Sequence, residues 1–301
     1  MRQNKRGMKK ISIFGFSAAA LSIFAAAMLG GCCSSNSGGE AQCQEQAVQP
    51  LRKIALHSYV YHKCASLEDV VAESKALGAD GVVLSNTIKI RALGKKVSPY
   101  LSAEEKAYVK KLFKDAGLVI PSYGIGGGFK SEAGARAYFS FCREMSIPIF
   151  TWEGNFRDIA AVAKLASEYG VKLAIHHHTA KYNRENEYNN PEALFFRIRD
   201  IDNAYAIADN GHWAREGRDA VRGYRTIGGK KLAMLHFKDP SRIGFDSKRD
   251  MPLGEGVLNL PEVLKTLDEI GFDGWFVLEN ESVFDNPSPT MKKGVEYLRS
   301  H

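Results

Sequence analysis

Four apolar runs in the second half of the chain end in side chains that bind metal ions or transfer protons. Each run has the length and composition of a buried β-strand. The polar side chains at or near their ends are His176, His177, His178, Asp209, His236, Lys238 and Glu279. A single histidine at a strand end is more often a hydrogen-bonded polar residue than a ligand. Four consecutive runs that all end in ligand-type residues are a more specific pattern, and they predict one shared site.

The alternation of side chains along a strand determines which of these residues face the same way. His176 and His178 share one face of their run, whereas His177 lies on the other face and is expected to be structural. If the four runs point alternate residues at a common centre, one aspartate, one glutamate and at least two histidines converge there. Such a set suits a divalent metal ion such as Mn²⁺, Zn²⁺, Co²⁺ or Mg²⁺.

The elements that must position these residues repeat along the chain. Eight apolar runs alternate with helical patterns, and they cover 53–61, 81–86, 118–124, 147–154, 171–178, 204–211, 231–238 and 274–280. The intervening helices carry start and stop signals, such as the capping box of Ser102 with Glu105 and the terminating Gly117. Eight such units in about 250 residues predict an α/β protein with a single-domain (β/α)8 TIM barrel, whose active sites lie at the C-terminal strand ends. An open doubly wound sheet is the alternative, but no glycine-rich phosphate turn follows the first run.

The N-terminal part of the chain is predicted to be a targeting segment outside the barrel. Residues 1–31 combine basic residues, an apolar stretch and small residues before Cys32, which is typical of a secretory signal. Leu29-Gly30-Gly31-Cys32 resembles a bacterial lipoprotein box, which implies lipidation of Cys32, and a transmembrane anchor is the alternative. Residues 32–50 are then a flexible tether and 51–301 the barrel. The protein is therefore expected to be lipid-anchored and extracytoplasmic, on the periplasmic side or outer membrane of a bacterium.

The formal net charge of +7 does not indicate nucleic-acid binding. Five basic residues lie in 1–31, and subtracting their charges from +7 leaves +2 for the rest of the chain. A nucleic-acid-binding surface would need its positive charge on the folded part. The cysteines after Cys32 show no metal-type spacing, so the predicted metal site does not depend on them.

The chain resembles the xylose isomerase-like TIM-barrel superfamily, in its branch of sugar isomerases and epimerases. The most specific parts of this resemblance are Asp209-Asn210-Gly211-His212-Trp213-Ala214-Arg215, Leu235-His236-Phe237-Lys238-Asp239, Pro252-Leu253-Gly254-Glu255-Gly256 and Gly271-Phe272-Asp273-Gly274-Trp275. In that family the metal is held by a Glu on strand five, an Asp on strand six, a His on strand seven and a Glu on strand eight. The resemblance implies that Asp209, His236 and Glu279 are metal ligands, with His176 in the place of the strand-five Glu.

The resemblance also implies catalytic roles. Family epimerases place the strand-five and strand-eight carboxylates on opposite faces of the substrate, where one removes a proton next to a carbonyl and the other returns it. Glu279 and His176 are the corresponding catalytic candidates, and an imidazole at 176 keeps a ligand but changes the base. Lys238 is a further candidate, which could polarise a sugar oxygen or pair with Asp209 or Glu279.

Five residues are candidates for substrate binding. His212 and Arg215 match residues with which the family holds its substrate. His178, Glu153 and Trp213 are candidates from their positions near the strand ends. Each has a structural alternative, because polar strand ends are often only hydrogen-bonded and buried aromatic residues more often belong to the core.

These features predict a metal-dependent sugar or keto-sugar isomerase or epimerase that acts through a metal-stabilised enediolate. The extracytoplasmic location and the lack of a phosphate-binding glycine motif favour an unphosphorylated small-molecule sugar. A lyase acting on a 3-keto-glycoside is the main alternative, since it needs one base and one acid and not two matched carboxylates. A non-catalytic, lipid-anchored sugar-binding protein is the second alternative. A DNA-repair endonuclease shares the fold, but the location and the charge argue against nucleic acid as a partner.

Overall fold

The strands form a closed parallel barrel, which confirms the predicted (β/α)8 fold. The computed structural model describes residues 51–181 and 188–301. Its barrel strands, β1 to β8, are Lys53–His57, Gly81–Ser85, Ser122–Gly124, Ile149–Trp152, Lys172–His176, Ala204–Asp209, Leu232–Phe237 and Trp275–Leu278. Each strand pairs in parallel with its neighbours along the chain, and β1 closes the barrel against β8, with Lys53 opposite Trp275.

The helices between the strands show the start and stop signals expected from the sequence. The α-helices, α1 to α9, are Leu67–Leu77, Ala103–Ala116, Glu132–Glu144, Ile159–Ser167, Pro191–Ile198, Asn210–Arg215, Ala220–Ile227, Leu260–Glu269 and Ser288–Ser300. Ser102 and Glu105 form the predicted capping box at the start of α2. The same helix ends at Gly117, whose φ of 71° lies in the left-handed region that glycine adopts without a steric penalty.

An apolar cluster fills the barrel directly below the polar strand ends. Four of its members are Ala174, Ile207, Met234 and Val277, and they precede His176, Asp209, His236 and Glu279 by two positions. Side chains two positions apart on a strand face the same way, so the apolar cluster and the polar residues form successive layers inside the barrel. The lower layer closes the barrel to water, and the upper layer faces the open end.

The strands are shorter than the predicted runs, for local reasons. The first strand ends at His57, after which Ser58–Tyr61 forms a 3-10 helix. The third strand is reduced to Ser122–Gly124 because Pro121, just before it, has no N–H to donate to a neighbouring strand. The loop after β7 contains a short antiparallel pair, Asp239–Pro240 with Asp250–Met251, which the sequence analysis did not predict.

The predictions for the first 50 residues lie outside the described residues. They comprise the signal at 1–31, the lipidation of Cys32 and the tether at 32–50. Within residues 51–181 and 188–301, no helix combines the length and the apolar character needed to span a bilayer.

Candidate active site and metal centre

The four side chains predicted as metal ligands meet at the C-terminal end of the barrel. His176 is the last residue of β5, Asp209 is the last residue of β6, and His236 lies one residue before the end of β7. Glu279 directly follows β8. All four are buried, and one donor atom from each lies within 4.8 Å of the others.

The donor atoms of this group fit a divalent metal ion. His176 Nε2 and His236 Nε2 are buried and make no hydrogen bond to any described residue. A buried polar atom without a partner costs about 1–3 kcal/mol, and coordination to a cation would remove this cost. Two imidazole nitrogens with two carboxylates form a mixed set that suits Zn²⁺, Mn²⁺ or Co²⁺ better than the oxygen-preferring Mg²⁺. His176, Asp209, His236 and Glu279 would therefore hold the ion.

Glu153, which directly follows β4, fixes the orientation of two histidines. Its Oε1 lies 2.8 Å from His176 Nδ1 and 3.0 Å from His178 Nε2. The other nitrogen of His176, Nε2, faces Asp209 Oδ2 at 3.6 Å. A carboxylate on one nitrogen of a histidine is the usual way in which proteins orient the other nitrogen toward a metal. Glu153 thus lies behind His176, in contact with one residue of β5 and with His178 just after that strand.

Lys238 is completely buried and joins three carboxylates. Its Nζ lies 2.9 Å from Asp209 Oδ2, 2.8 Å from Glu279 Oε2 and 2.9 Å from Glu281 Oε2. Burial lowers the pKa of a lysine, but these carboxylates outweigh burial and raise the pKa of Lys238 well above its ordinary value. Of the two roles expected for Lys238, the structure shows the pairing. Its ammonium has no exposed surface, so polarisation of a sugar oxygen by direct contact is not the role observed.

The neighbouring charges set the protonation of the ligand residues. Burial raises the pKa of Asp209 and Glu279, but nearby Lys238 and histidines outweigh burial and hold both pKa values well below their usual range. Burial lowers the pKa of His176, yet Asp209 and Glu153 outweigh it and raise that pKa to about 10. The metal-free protein therefore carries an imidazolium at 176 between two ionised carboxylates.

The backbone around Asp209 orients its carboxylate. Oδ1 accepts a hydrogen bond from the backbone N–H of His212 at 2.8 Å, because Asp209 is the N-cap of α6. The Asp209 N–H donates to His177 Nε2 at 3.1 Å, and the His177 ring stacks on Trp213 with centroids 5.3 Å apart. The expectation that His177 is structural agrees with these contacts. The remaining oxygen of Asp209, Oδ2, faces the ligand group.

Trp213, a candidate for substrate binding, lies in the core, which was the structural alternative considered for it. Its side chain is fully buried, between His177 and Tyr224, and does not line the cleft. The reason lies in α6, which turns the residue after His212 away from the open end of the barrel. Trp213 supports the site from behind, through the ring of His177.

Two cavities that share five lining residues lie at the open end of the barrel, and we call them the inner and outer lobes of one cleft. The inner lobe has a volume of about 300 Å³ and includes His176, His236 and Glu279 in its walls. The outer lobe, of about 820 Å³, includes His212 and Arg215. The residues that line both lobes are Tyr59, Gly126, Glu153, His178 and Glu281. Four of the five predicted substrate-binding residues, Glu153, His178, His212 and Arg215, therefore face the cleft.

Arg215 and His212 are held firmly in the wall of the outer lobe. The Arg215 guanidinium is paired with the buried carboxylate of Asp250, and its Nε donates to the Ser247 carbonyl at 3.2 Å. His212 Nε2 lies 3.1 Å from His178 Nδ1, so one of these two nitrogens donates to the other. Burial lowers the pKa of His212 well below its ordinary value, which keeps the ring neutral.

Two site residues were not among the predicted set. Glu281 pairs with Lys238 and lines both lobes. His57 lines the inner lobe, with its Nε2 3.9 Å from Glu279 Oε1, and burial lowers its pKa to about 3. Strand alternation carried the signal for both, because Glu281 follows Glu279 by two positions and His57 ends β1 as His176 ends β5.

The fold and the site define a (β/α)8 barrel with a candidate divalent-metal centre at the base of a two-lobed cleft. The family described as xylose isomerase-like TIM barrel matches residues 71–301. The chain belongs to this family, which confirms the resemblance found in the sequence.

Curated relatives match only part of the chain. Inosose dehydratase of Erwinia tasmaniensis is 27% identical over 169 residues, which cover 50% of this chain and 55% of that protein. The rhizopine catabolism protein MocC of Rhizobium meliloti is 28% identical over 146 residues, or 43% of each protein. The uncharacterized protein MJ1311 of Methanocaldococcus jannaschii is 30% identical over 144 residues, covering 44% of this chain and 45% of that one. The chain thus spans about half the length of the curated relatives it matches.

Solved structures match nearly the whole barrel. The IOLI protein with a binding zinc atom has a TM-score of 0.68 at 16% identity, covering 82% of this chain and 98% of that one. D-psicose 3-epimerase with D-tagatose, from Clostridium cellulolyticum H10, has a TM-score of 0.65 at 16% identity, with coverage of 82% and 98%. At these identities the likeness shows the fold.

Proposed function

We propose that this protein is a metal-dependent enzyme that removes the proton next to the carbonyl of an unphosphorylated keto-sugar. The observation that carries the proposal is the buried donor group of His176, Asp209, His236 and Glu279 at the base of a cleft large enough for a sugar. Removal of such a proton leaves negative charge on the carbonyl oxygen, which only a site with fixed positive charge stabilises well. A divalent ion in this group would supply that stabilisation by acting as a Lewis acid.

The residues around the inner lobe supply the proton transfers. Glu279 is the candidate base, because its carboxylate is ionised, lines the inner lobe and is held by Lys238 and His236 at 2.8 and 2.9 Å. His178 is the candidate proton donor on the side of β5. Glu153 holds its Nε2 at 3.0 Å, and His212 lies 3.1 Å from its Nδ1, so the ring is fixed in direction.

Return of the proton to the substrate would make the protein an isomerase or an epimerase, as the family resemblance implies. The two sides of the inner lobe are chemically different, since a carboxylate stands on the side of β8 and imidazoles stand on the side of β5. Glu153 supplies a carboxylate on the second side, but it reaches the lobe in contact with His176 and His178. Proton return on that side would therefore pass through an imidazole.

A lyase is the second candidate, and the imidazoles of β5 favour it. After the proton next to the carbonyl has gone to the base, the bond from the β-carbon to its oxygen substituent breaks. The former C–H electron pair becomes the new C=C bond, and the departing oxygen takes a proton from the acid. This outcome needs one base and one acid. Inosose dehydratases among the curated relatives carry the name of a reaction of this class.

The neutral charge of the proposed substrate follows from the cleft and from the proposed location. Glu153, Glu279 and Glu281 line the inner lobe, and no lysine or arginine is among its described lining residues. Such walls favour a neutral sugar over a phosphorylated one. We also propose that the enzyme works outside the cytoplasm on a lipid anchor at Cys32, where unphosphorylated sugars are the available class.

The test is incorporation of deuterium from D₂O into free keto-sugars and 3-keto-glycosides, with and without EDTA. Deuterium should enter the carbon next to the carbonyl, and EDTA should abolish its entry. Glu279→Gln should slow exchange by about 100-fold or more, since a general base contributes on that order. Glu255→Gln, at an exposed glutamate that pairs with Lys293, is the matched control. Exchange that persists in Glu279→Gln, or no exchange by metal-loaded protein with any of these sugars, would rule the proposal out.

A further inference from the structure

The cleft is larger than the part of it that faces the metal centre. The inner lobe has a volume of about 300 Å³. The members of the donor group that line the cleft, His176, His236 and Glu279, all line this lobe. Its size is at the low end of the range for small-molecule sites, roughly 300–1,000 Å³, and suits a single sugar ring. The outer lobe, of about 820 Å³, is not needed to bring such a ring to the metal centre.

Aromatic side chains form the rim of the outer lobe. Phe245 is 68% exposed, although a phenylalanine in water gives up the stabilisation that burial would provide. Phe284 and Tyr59 line the same lobe, and their rings meet edge to face with centroids 5.5 Å apart, while His62 stacks on Tyr59 at 4.8 Å. Exposed aromatic groups on the rim of a polar cavity are typical of a surface that a ligand covers.

Main-chain contacts fix the position of Phe245 relative to the site. Its loop, residues 241–249, continues the short antiparallel pair after β7, with Ser241 N donating to the Arg249 carbonyl at 2.9 Å. Gly244 N donates to the carbonyl of Ala214 at 3.0 Å, and the Ser247 carbonyl accepts from Arg215. The loop is therefore anchored to α6, whose N-cap is the metal-ligand residue Asp209.

Polar donors and acceptors accompany these aromatic rings. Lys248, Ser282, His212 and Arg215 line the same lobe. A pyranose presents apolar C–H faces and a belt of hydroxyl groups, so it requires both kinds of contact at once. An extended apolar ligand would cover these polar groups without offering them hydrogen bonds, which disfavours its binding.

We propose that the outer lobe binds a second sugar ring, so that the substrate is a keto-disaccharide or longer keto-glycoside with its keto ring in the inner lobe. This inference rests on the proposed function, which assigns the keto ring to the inner lobe. The bond between the two rings then lies among the residues that line both lobes. Glu153, His178 and Glu281 are there, so groups able to donate or accept a proton surround the glycosidic oxygen.

Binding to the full-length, metal-loaded protein tests the second ring without any reaction. The probes are the unoxidised disaccharides cellobiose, maltose and trehalose, each compared with glucose by isothermal titration calorimetry. At least one disaccharide should bind about 3- to 10-fold more tightly than glucose, the factor expected for one added aromatic contact. Phe245→Ala should remove this preference. Phe196→Ala should keep it, because Phe196 is 67% exposed, like Phe245, but lies on α5 away from the cleft.

Turnover provides a second readout that separates this inference from the proposed function. Deuterium exchange is measured with 3-keto-glucose and with the 3-keto form of the preferred disaccharide. Phe245→Ala should lower kcat/KM about 3- to 10-fold for the disaccharide only, mainly through KM. If 3-keto-glucose exchanges normally but no disaccharide is preferred, or if Phe245→Ala affects both substrates equally, the second-ring site is wrong and the proposed function stands. If no keto-sugar exchanges while the disaccharide preference persists, the proposed function is wrong.

Discussion

At the scale of single residues, Asp209 is the position on which the metal centre depends most. Its Oδ1 accepts a hydrogen bond from a backbone N–H of α6. Its Oδ2 faces His176, His236 and Lys238. Asp209→Asn keeps the shape and the N-cap but removes the charge, so we expect metal content to fall from close to one divalent ion per chain to below about 0.1. Elemental analysis of the purified protein measures this. Asp202→Asn, at an exposed aspartate before the same strand, should keep its metal, and equal metal content in both variants would contradict the assignment.

The charge of His176 links metal binding to pH. Its pKa is raised to about 10 in the metal-free protein, and a metal ligand must be neutral, so the ion has to displace a proton. We expect apparent metal affinity to rise about tenfold per pH unit between about pH 6 and pH 9. The stability of the metal-free fold changes with pH in the opposite direction. Because the pKa of His176 lies above its ordinary 6.5, its ion pairs stabilise this fold fully below pH 6.5 and lose their effect as the pH rises through about 10.

Calorimetric titration of the metal in two buffers of different ionisation enthalpy counts the protons released. The wild-type protein should release about one proton per ion near neutral pH. Glu153→Gln removes one of the two carboxylates that raise the pKa of His176, so proton release should fall below one. An affinity that does not change with pH would show that His176 is not a ligand.

At the scale of elements, strand alternation predicted which side chains share a face, and the family resemblance predicted which of them are ligands. A period of two residues places His176, Asp209, His236 and Glu279 above the apolar cluster, and the structure agrees. The same rule does not apply to residues in a helix. Trp213 was a substrate-binding candidate from its position near a strand end, but it lies in α6, where its side chain is buried.

The loop after β7 depends on one carboxylate, which gives a prediction about stability. Asp239 is buried and accepts hydrogen bonds from the backbone N–H groups of Gly254, Gly256 and Leu258 at 3.0, 2.9 and 3.1 Å. Asp239→Ala leaves these donors without partners, so it should lower the free energy of unfolding by about 3 kcal/mol, measured by urea denaturation. Asp246→Ala, at an exposed residue of the neighbouring loop, should change it by less than about 0.5 kcal/mol. Equal effects of the two substitutions would show that the Asp239 contacts contribute little.

At the scale of the whole molecule, the residues that support the site and the residues that could carry out chemistry lie in separate layers of the barrel. The apolar cluster fills its interior, the metal-ligand residues form the next layer, and the loops build a cleft above them. The fold could be predicted from the sequence because it depends on short periodic patterns. The ligand layer could be predicted because the ends of four of these runs resemble the motifs of a known family. The two lobes could not, because Tyr59, Glu153 and Phe245 come from loops far apart in the chain, and loop conformation follows no period.

The proposed location of the whole molecule depends on Cys32. A basic segment, an apolar stretch and small residues before this cysteine predict removal of 1–31 and attachment of lipid to the new N-terminus. Two acyl chains hold a protein stably at a membrane, whereas the described barrel has no helix able to span one. We therefore expect Cys32→Ala to abolish labelling by radioactive palmitate and to stop normal processing, while Cys33→Ala, at the adjacent cysteine, keeps both. Membrane fractionation with protease accessibility of intact cells then gives the side of the membrane. Palmitate labelling that survives Cys32→Ala, or a wild-type protein confined to the cytoplasm, would overturn the lipoprotein assignment and remove the location argument for an unphosphorylated sugar.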